Sequence, residues 1–128
     1  MTFSETVEKH LRAIRDRDLP SLIETLADET EGLLLIMSDG RLVRTVREFI
    51  ALHRDGFGSL TWTLSAREVH TVESPELGVA VFQLDYRDTP TDGPPIQEAS
   101  LLTLVFARRG ERWVMIQDQN TPIKATGP

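Results

Sequence analysis

The chain has no cysteine, which excludes a disulfide framework, a thiolate nucleophile and a thiolate-rich zinc site. Long apolar runs are missing as well. The longest uninterrupted aliphatic stretch, Leu33 to Met37, falls far short of the roughly 20 residues needed to span a bilayer. The polar start MTFSETVEKH carries no apolar signal core, so a cytoplasmic protein with no membrane partner is the expectation. Positive charge is scarce, with 14 Lys plus Arg against 20 Asp plus Glu and a formal net charge of −6. Such a field repels phosphate backbones, which argues against nucleic acid as a partner. His10, His53 and His70 are widely separated and show no H-x-x-x-H spacing, so neither a metal site nor a cofactor is expected. There is no G-x-S-x-G elbow, and Gly56-Phe57-Gly58 lacks the lysine and the following helix of a phosphate loop.

What remains is 128 residues, 40% hydrophobic and 27% charged, the balance of one globular domain over residues 1–128 with a single core. Phe3, Val7, Leu11 and Ile14 recur at helical spacing behind a Thr2/Glu5 capping box. A second helix is predicted from Asp18, with Pro20 in its first turn and Leu22, Ile23 and Leu26 buried. Leu33 to Met37 reads as a buried strand closed by the turn Ser38-Asp39-Gly40. Val43, Val46, Ile50 and His53 then form the inner stripe of a third helix that stops near Gly56.

The second half is β-rich, with strands predicted over 61–73, 77–88, 97–108 and 113–121. The connectors Ser74-Pro75-Glu76 and Arg109-Gly110-Glu111 suit hairpins, whereas Thr89 to Ile96, with three prolines, is an exposed loop. Helices followed by a run of strands is the α+β pattern. Strands of a dozen residues reach roughly 40 Å, too long for a flat sheet in so small a domain. They are expected to curl into a strongly curved, mostly antiparallel sheet wrapped around the N-terminal helices, leaving a tapered interior.

The early helix pair, Ser38-Asp39-Gly40-Arg41 before the third helix, and the ending from Gly110-Glu111-Arg112-Trp113 through Gln117-Asp118-Gln119-Asn120-Thr121-Pro122-Ile123 resemble the nuclear transport factor 2-like superfamily, in particular its SnoaL-like members. The resemblance implies a cone-shaped α+β barrel, dimeric through sheet faces, with a pocket between the concave sheet and the helices. Its members include ketosteroid isomerases, polyketide cyclases, epoxide hydrolases, dehydratases and non-catalytic binding modules, so the fold implies a place for a site and leaves its chemistry open.

Strand alternation puts Trp113, Met115, Gln117 and Gln119 on one face of the last strand and Val114, Ile116, Asp118 and Asn120 on the other. In many relatives the positions of Gln117 and Gln119 hold two histidines facing the pocket. The amides here cannot take a proton; they orient a ligand or satisfy backbone groups at the strand end. Tyr86 shares a face with Phe82 and Leu84, which points it inward. Asp39 lies near where the isomerases carry their base, though its Ser-Asp-Gly setting suits a turn. His53 falls on the inner stripe of the third helix, either packed or at the cavity mouth. Trp62, Phe49 and Met115 complete a candidate lining, or else an ordinary core.

The leading expectation is therefore a homodimeric SnoaL-like protein, paired through its outer sheet face, that holds a small apolar or aromatic ligand. The alternatives are an isomerase, cyclase or dehydratase-type enzyme using Tyr86, Asp39 or His53, and a non-catalytic association module.

Overall fold

Thr2 opens the first helix as its sequence predicts. In the computed structural model, which describes residues 1–124, the Thr2 side chain accepts from Glu5 N at 3.1 Å while the Glu5 carboxylate accepts from Thr2 N at 2.9 Å. This box starts α1 (Phe3–Arg15), whose stripe of Phe3, Val7 and Leu11 is buried. Asp18 caps α2 (Leu19–Ile23) by accepting from Ser21 N at 3.2 Å. That helix is a single turn, so Leu22 points inward and its neighbour Ile23, expected to be buried, faces out at 38% exposure. Two short strands follow, β1 (Leu34–Ile36) and β2 (Leu42–Val43). Thr45 then caps α3 (Val46–Phe57), so Val43, expected in this helix, belongs to β2 instead.

Four long strands complete the chain: β3 (Trp62–Glu73), β4 (Leu77–Asp88), β5 (Ile96–Arg109) and β6 (Arg112–Pro122). They pair antiparallel in sequence order, as short connections require, within one sheet of order β2-β1-β6-β5-β4-β3. β1 adds to β6 in parallel, matching Leu35 with Asp118, a pairing that sequence patterning does not reveal. The result is a mixed α+β fold in which a curved sheet backs onto the N-terminal helices. None of the described helices is long and apolar enough to cross a membrane.

One face of the sheet carries Ala80, Phe82 and Leu84 of β4 and Leu102, Leu104 and Phe106 of β5, all buried against the helices. Phe3 anchors α1 there, its ring edge-on to Phe106 at 5.9 Å and 5.3 Å from Trp113. It lies so close to β4 that a Cβ on Gly78 would come within 2.4 Å of the ring, which fixes glycine at that position.

Candidate functional site

Between this face and helices α1 and α3 the packing is incomplete, leaving an open cavity of about 840 Å³. Leu11, Leu35, Leu84 and Leu102 form its buried apolar floor, while Leu52, Gln97 and Glu98 stand exposed at its mouth. In size and in its largely apolar lining this space is of the kind in which proteins hold small molecules.

Into the floor projects Asp118, 5% exposed. Asn120, also at the cavity, donates from Nδ2 to its Oδ1 at 3.1 Å, and no Lys or Arg side chain lines the space. Burial dominates over that one hydrogen bond and pushes the carboxyl up to about 7. An acid group that titrates near neutrality can both accept and release a proton under ordinary conditions.

The expected inward pair on this strand, Gln117 and Gln119, is on the opposite face. The cause is a β-bulge. Phe106 pairs with Met115 and Val105 with Gln117, so Ile116 is an extra residue without a partner and resets the alternation. Met115 therefore points inward and so does Asp118, while Gln117 and Gln119 turn outward beside Val105 and Thr103. Strict alternation assigned the polar tip of β6 to the wrong sides.

Met115 and Phe49 are fully buried in the core rather than at the cavity surface, and Phe49 supports His53 by ring stacking at 4.1 Å. Trp62 is buried behind Tyr86, stacked on it at 6.2 Å. Of the candidate residues, the structure brings Tyr86, His53 and Asp39 to the cavity.

Each of these three is held differently. His53 Nδ1 donates to the Phe49 carbonyl at 2.9 Å, which leaves Nε2 as the ring's free acceptor. Burial holds its imidazole below the usual histidine range, hence neutral at pH 7. The Tyr86 hydroxyl donates to Asp88 Oδ2 at 3.3 Å, and burial, followed by the Asp88 charge, raises its pKa. Asp39 is exposed and accepts from Arg41 N at 3.0 Å and Arg41 Nε at 2.8 Å. Those contacts hold it below the usual carboxylate range, so it is a turn residue and a weak base.

The spacing along the sheet separates two ends of the cavity. Tyr86 pairs with Glu98 and Asp118 with Leu104, six positions further along β5. At about 3.3 Å per residue this is roughly 20 Å of strand. Tyr86 and Asp118 therefore line different ends of the cavity.

A SnoaL-like domain profile matches residues 4–122. The chain belongs to the SnoaL-like domain family. Several solved structures share the fold of this SnoaL-like chain. One is a candidate calcium/calmodulin-dependent protein kinase type II association domain from Thiobacillus denitrificans, 18% identical, covering 96% of each chain with a TM-score of 0.79. A candidate dehydratase of the nuclear transport factor 2-like family from Streptomyces avermitilis is 12% identical, with 95% of this chain and 94% of that one covered and a TM-score of 0.79. A ketosteroid isomerase-like protein from Erwinia carotovora atroseptica is 14% identical over 95% and 94% of the two chains, with a TM-score of 0.78. At such identities the likeness is one of fold. No curated protein matches the chain.

The SnoaL-like chain also buries a histidine that its sequence does not distinguish. His10, fully enclosed, donates from Nδ1 to the Thr25 hydroxyl at 2.7 Å, since that hydroxyl itself donates to Leu22 O at 2.7 Å. Its Nε2 has no partner, and burial lowers its pKa to about 3. Among the described residues no three His, Asp or Glu side chains gather as a metal ion would require.

Proposed function

We propose that this SnoaL-like protein is a proton-transfer enzyme of the isomerase, cyclase or dehydratase kind, which takes a small, largely apolar ligand into the cone. The observation that carries this reading is the Asp118 carboxyl, buried among leucines at the cavity floor, bonded by one amide and faced by no lysine or arginine. As a carboxylate it removes a proton from a carbon acidified by a neighbouring carbonyl. As the acid it returns that proton at a second position, so the enzyme ends the cycle unchanged. The second N–H of Asn120 is available to the carbonyl oxygen as that oxygen gains charge. His53 Nε2 offers an acceptor to a ligand hydroxyl. The names of the candidate dehydratase and the ketosteroid isomerase-like protein are consistent with this class of chemistry.

A substrate-independent test uses 5-nitrobenzisoxazole, whose ring opens once a base removes its carbon-bound proton. The wild type is expected to accelerate the opening with a pH profile centred near 7, and Asp118→Asn to lose about 100-fold or more of that rate. Equal rates in the two proteins would contradict the proposal.

Self-association accompanies this reading. The outer face of the sheet sets Val79 opposite Val105 and Gln83 opposite Leu101, with Val72 half exposed beside them. A second copy of the chain is the proposed cover for this face. Sedimentation at micromolar concentration is expected to show a dimer that Leu101→Asp dissociates; a monomeric wild type overturns it.

A further inference from the structure

Arg17 is the non-glycine residue, among those described, whose backbone adopts the left-handed conformation, with φ 57°. It follows α1, where Arg17 N donates to Ile14 O at 3.2 Å and Asp18 N to Ala13 O at 2.8 Å. Glycine is the usual occupant of such a helix end, because a Cβ is strained there. What arginine adds is its head group. Nε donates to Ser59 O at 3.0 Å, Nη2 donates to Trp62 O, and Cζ lies 3.9 Å from the centre of the Trp62 ring.

Trp62 donates from Nε1 to Gly56 O at 3.0 Å and stacks on Tyr86 with 26° between the ring planes. The guanidinium thus packs on the indole, and the indole in turn lies beside the phenol. Arg17 is not among the residues that line the cavity, whereas Tyr86 lines it. We propose that Arg17 is a positioning residue: through Trp62 it holds the Tyr86 ring as a flat wall of the cavity mouth, which favours planar, conjugated ligands. This inference rests on the reading of the cavity as the ligand site. A backbone held against its preference persists where its surroundings over-determine it, and three contacts to the 59–62 segment do so here. A stacked aromatic wall rewards a flat guest over a puckered one, since offset stacking adds to plain area burial.

The test exploits the fact that Tyr86 is the sole tyrosine, so 3-fluorotyrosine labelling gives a single fluorine resonance. Arg17→Gly suits the left-handed backbone and removes the whole side chain, guanidinium included. This variant is expected to stay folded, to shift and broaden the fluorine line, and to leave the Asp118 titration in place. Wild-type preference for 2-naphthol over its saturated decahydro analogue should be roughly tenfold and should fall below threefold in Arg17→Gly. Arg17→Lys, which keeps the charge without the fork, should fall between them and carries the same test if the glycine variant fails to fold. An unchanged fluorine line together with an unchanged naphthol preference overturns the proposal. If neither alcohol binds the wild type, the ligand-site reading fails and planar selectivity with it, while the fluorine line still decides whether Arg17 positions Tyr86.

Discussion

The Asn120 amide donates to Asp118 Oδ1 at 3.1 Å on the cavity floor. It favours the ionised carboxylate, opposing the burial that disfavours it. Replacing Asn120 with Leu removes the opposing contact and is expected to raise the Asp118 titration midpoint further. Proton abstraction at pH 7 then slows, because less of the carboxyl is ionised, and activity recovers as pH rises. A pH–rate profile on 5-nitrobenzisoxazole measures the displacement; a profile that stays put or moves toward lower pH contradicts this role.

Tyr86 and Asp118 line different ends of the cavity, since six positions of β5 separate their strand pairings. Tyr86→Phe should therefore weaken ligand binding by about fivefold, the scale of one hydrogen bond, while turnover of bound substrate changes little. Saturation kinetics separate the two quantities. A loss of several orders of magnitude in kcat would instead place the phenol at the reacting atoms.

His10 and Asp118 give folding stability opposite pH dependences. His10 has its folded pKa lowered to about 3, so the unfolded chain takes up a proton first, and stability falls as pH drops from about 6.5 toward 3. Asp118 has its folded pKa raised to about 7, so the folded chain holds the extra proton, and stability falls as pH climbs from about 4 toward 7. Where the two ranges overlap they offset one another. His10→Leu removes the first slope, so the difference between its unfolding free energy and that of the wild type should vary by about 1.4 kcal/mol per pH unit across this range. Urea denaturation at several pH values checks it; a pH-independent difference would show that His10 is protonated alike in both states.

Much of the fold is legible in the sequence because the signals are local. Thr2 with Glu5, Asp18 with Pro20, and the hairpin connectors each declare an element boundary through a few neighbouring residues. The long strands then require curvature, and curvature leaves a hollow. The parallel pairing of β1 with β6 is non-local and carries no such mark. The site is less legible for the same reason. Tyr86 follows the regular alternation of β4, but one unpaired residue, Ile116, separates the face of Met115 from that of Gln117. Nothing in Val114-Met115-Ile116-Gln117 distinguishes a bulge from a regular strand, so plain alternation places the inward acid outward and the outward amides inward. Trp62, Phe49 and Met115 have the character of pocket residues, yet their bulk is spent on core packing and on backing Tyr86 and His53.

Proton carriage by Asp118 at neutral pH requires that its carboxyl titrate there. Carbon-13 carboxyl titration of the folded wild type, with Asp118→Asn assigning the resonance, tests it most directly. One aspartate signal with a midpoint near 7 is expected, and it vanishes in the variant. If every aspartate titrates in the ordinary range around 4, Asp118 is fully ionised at neutral pH and does not carry protons there.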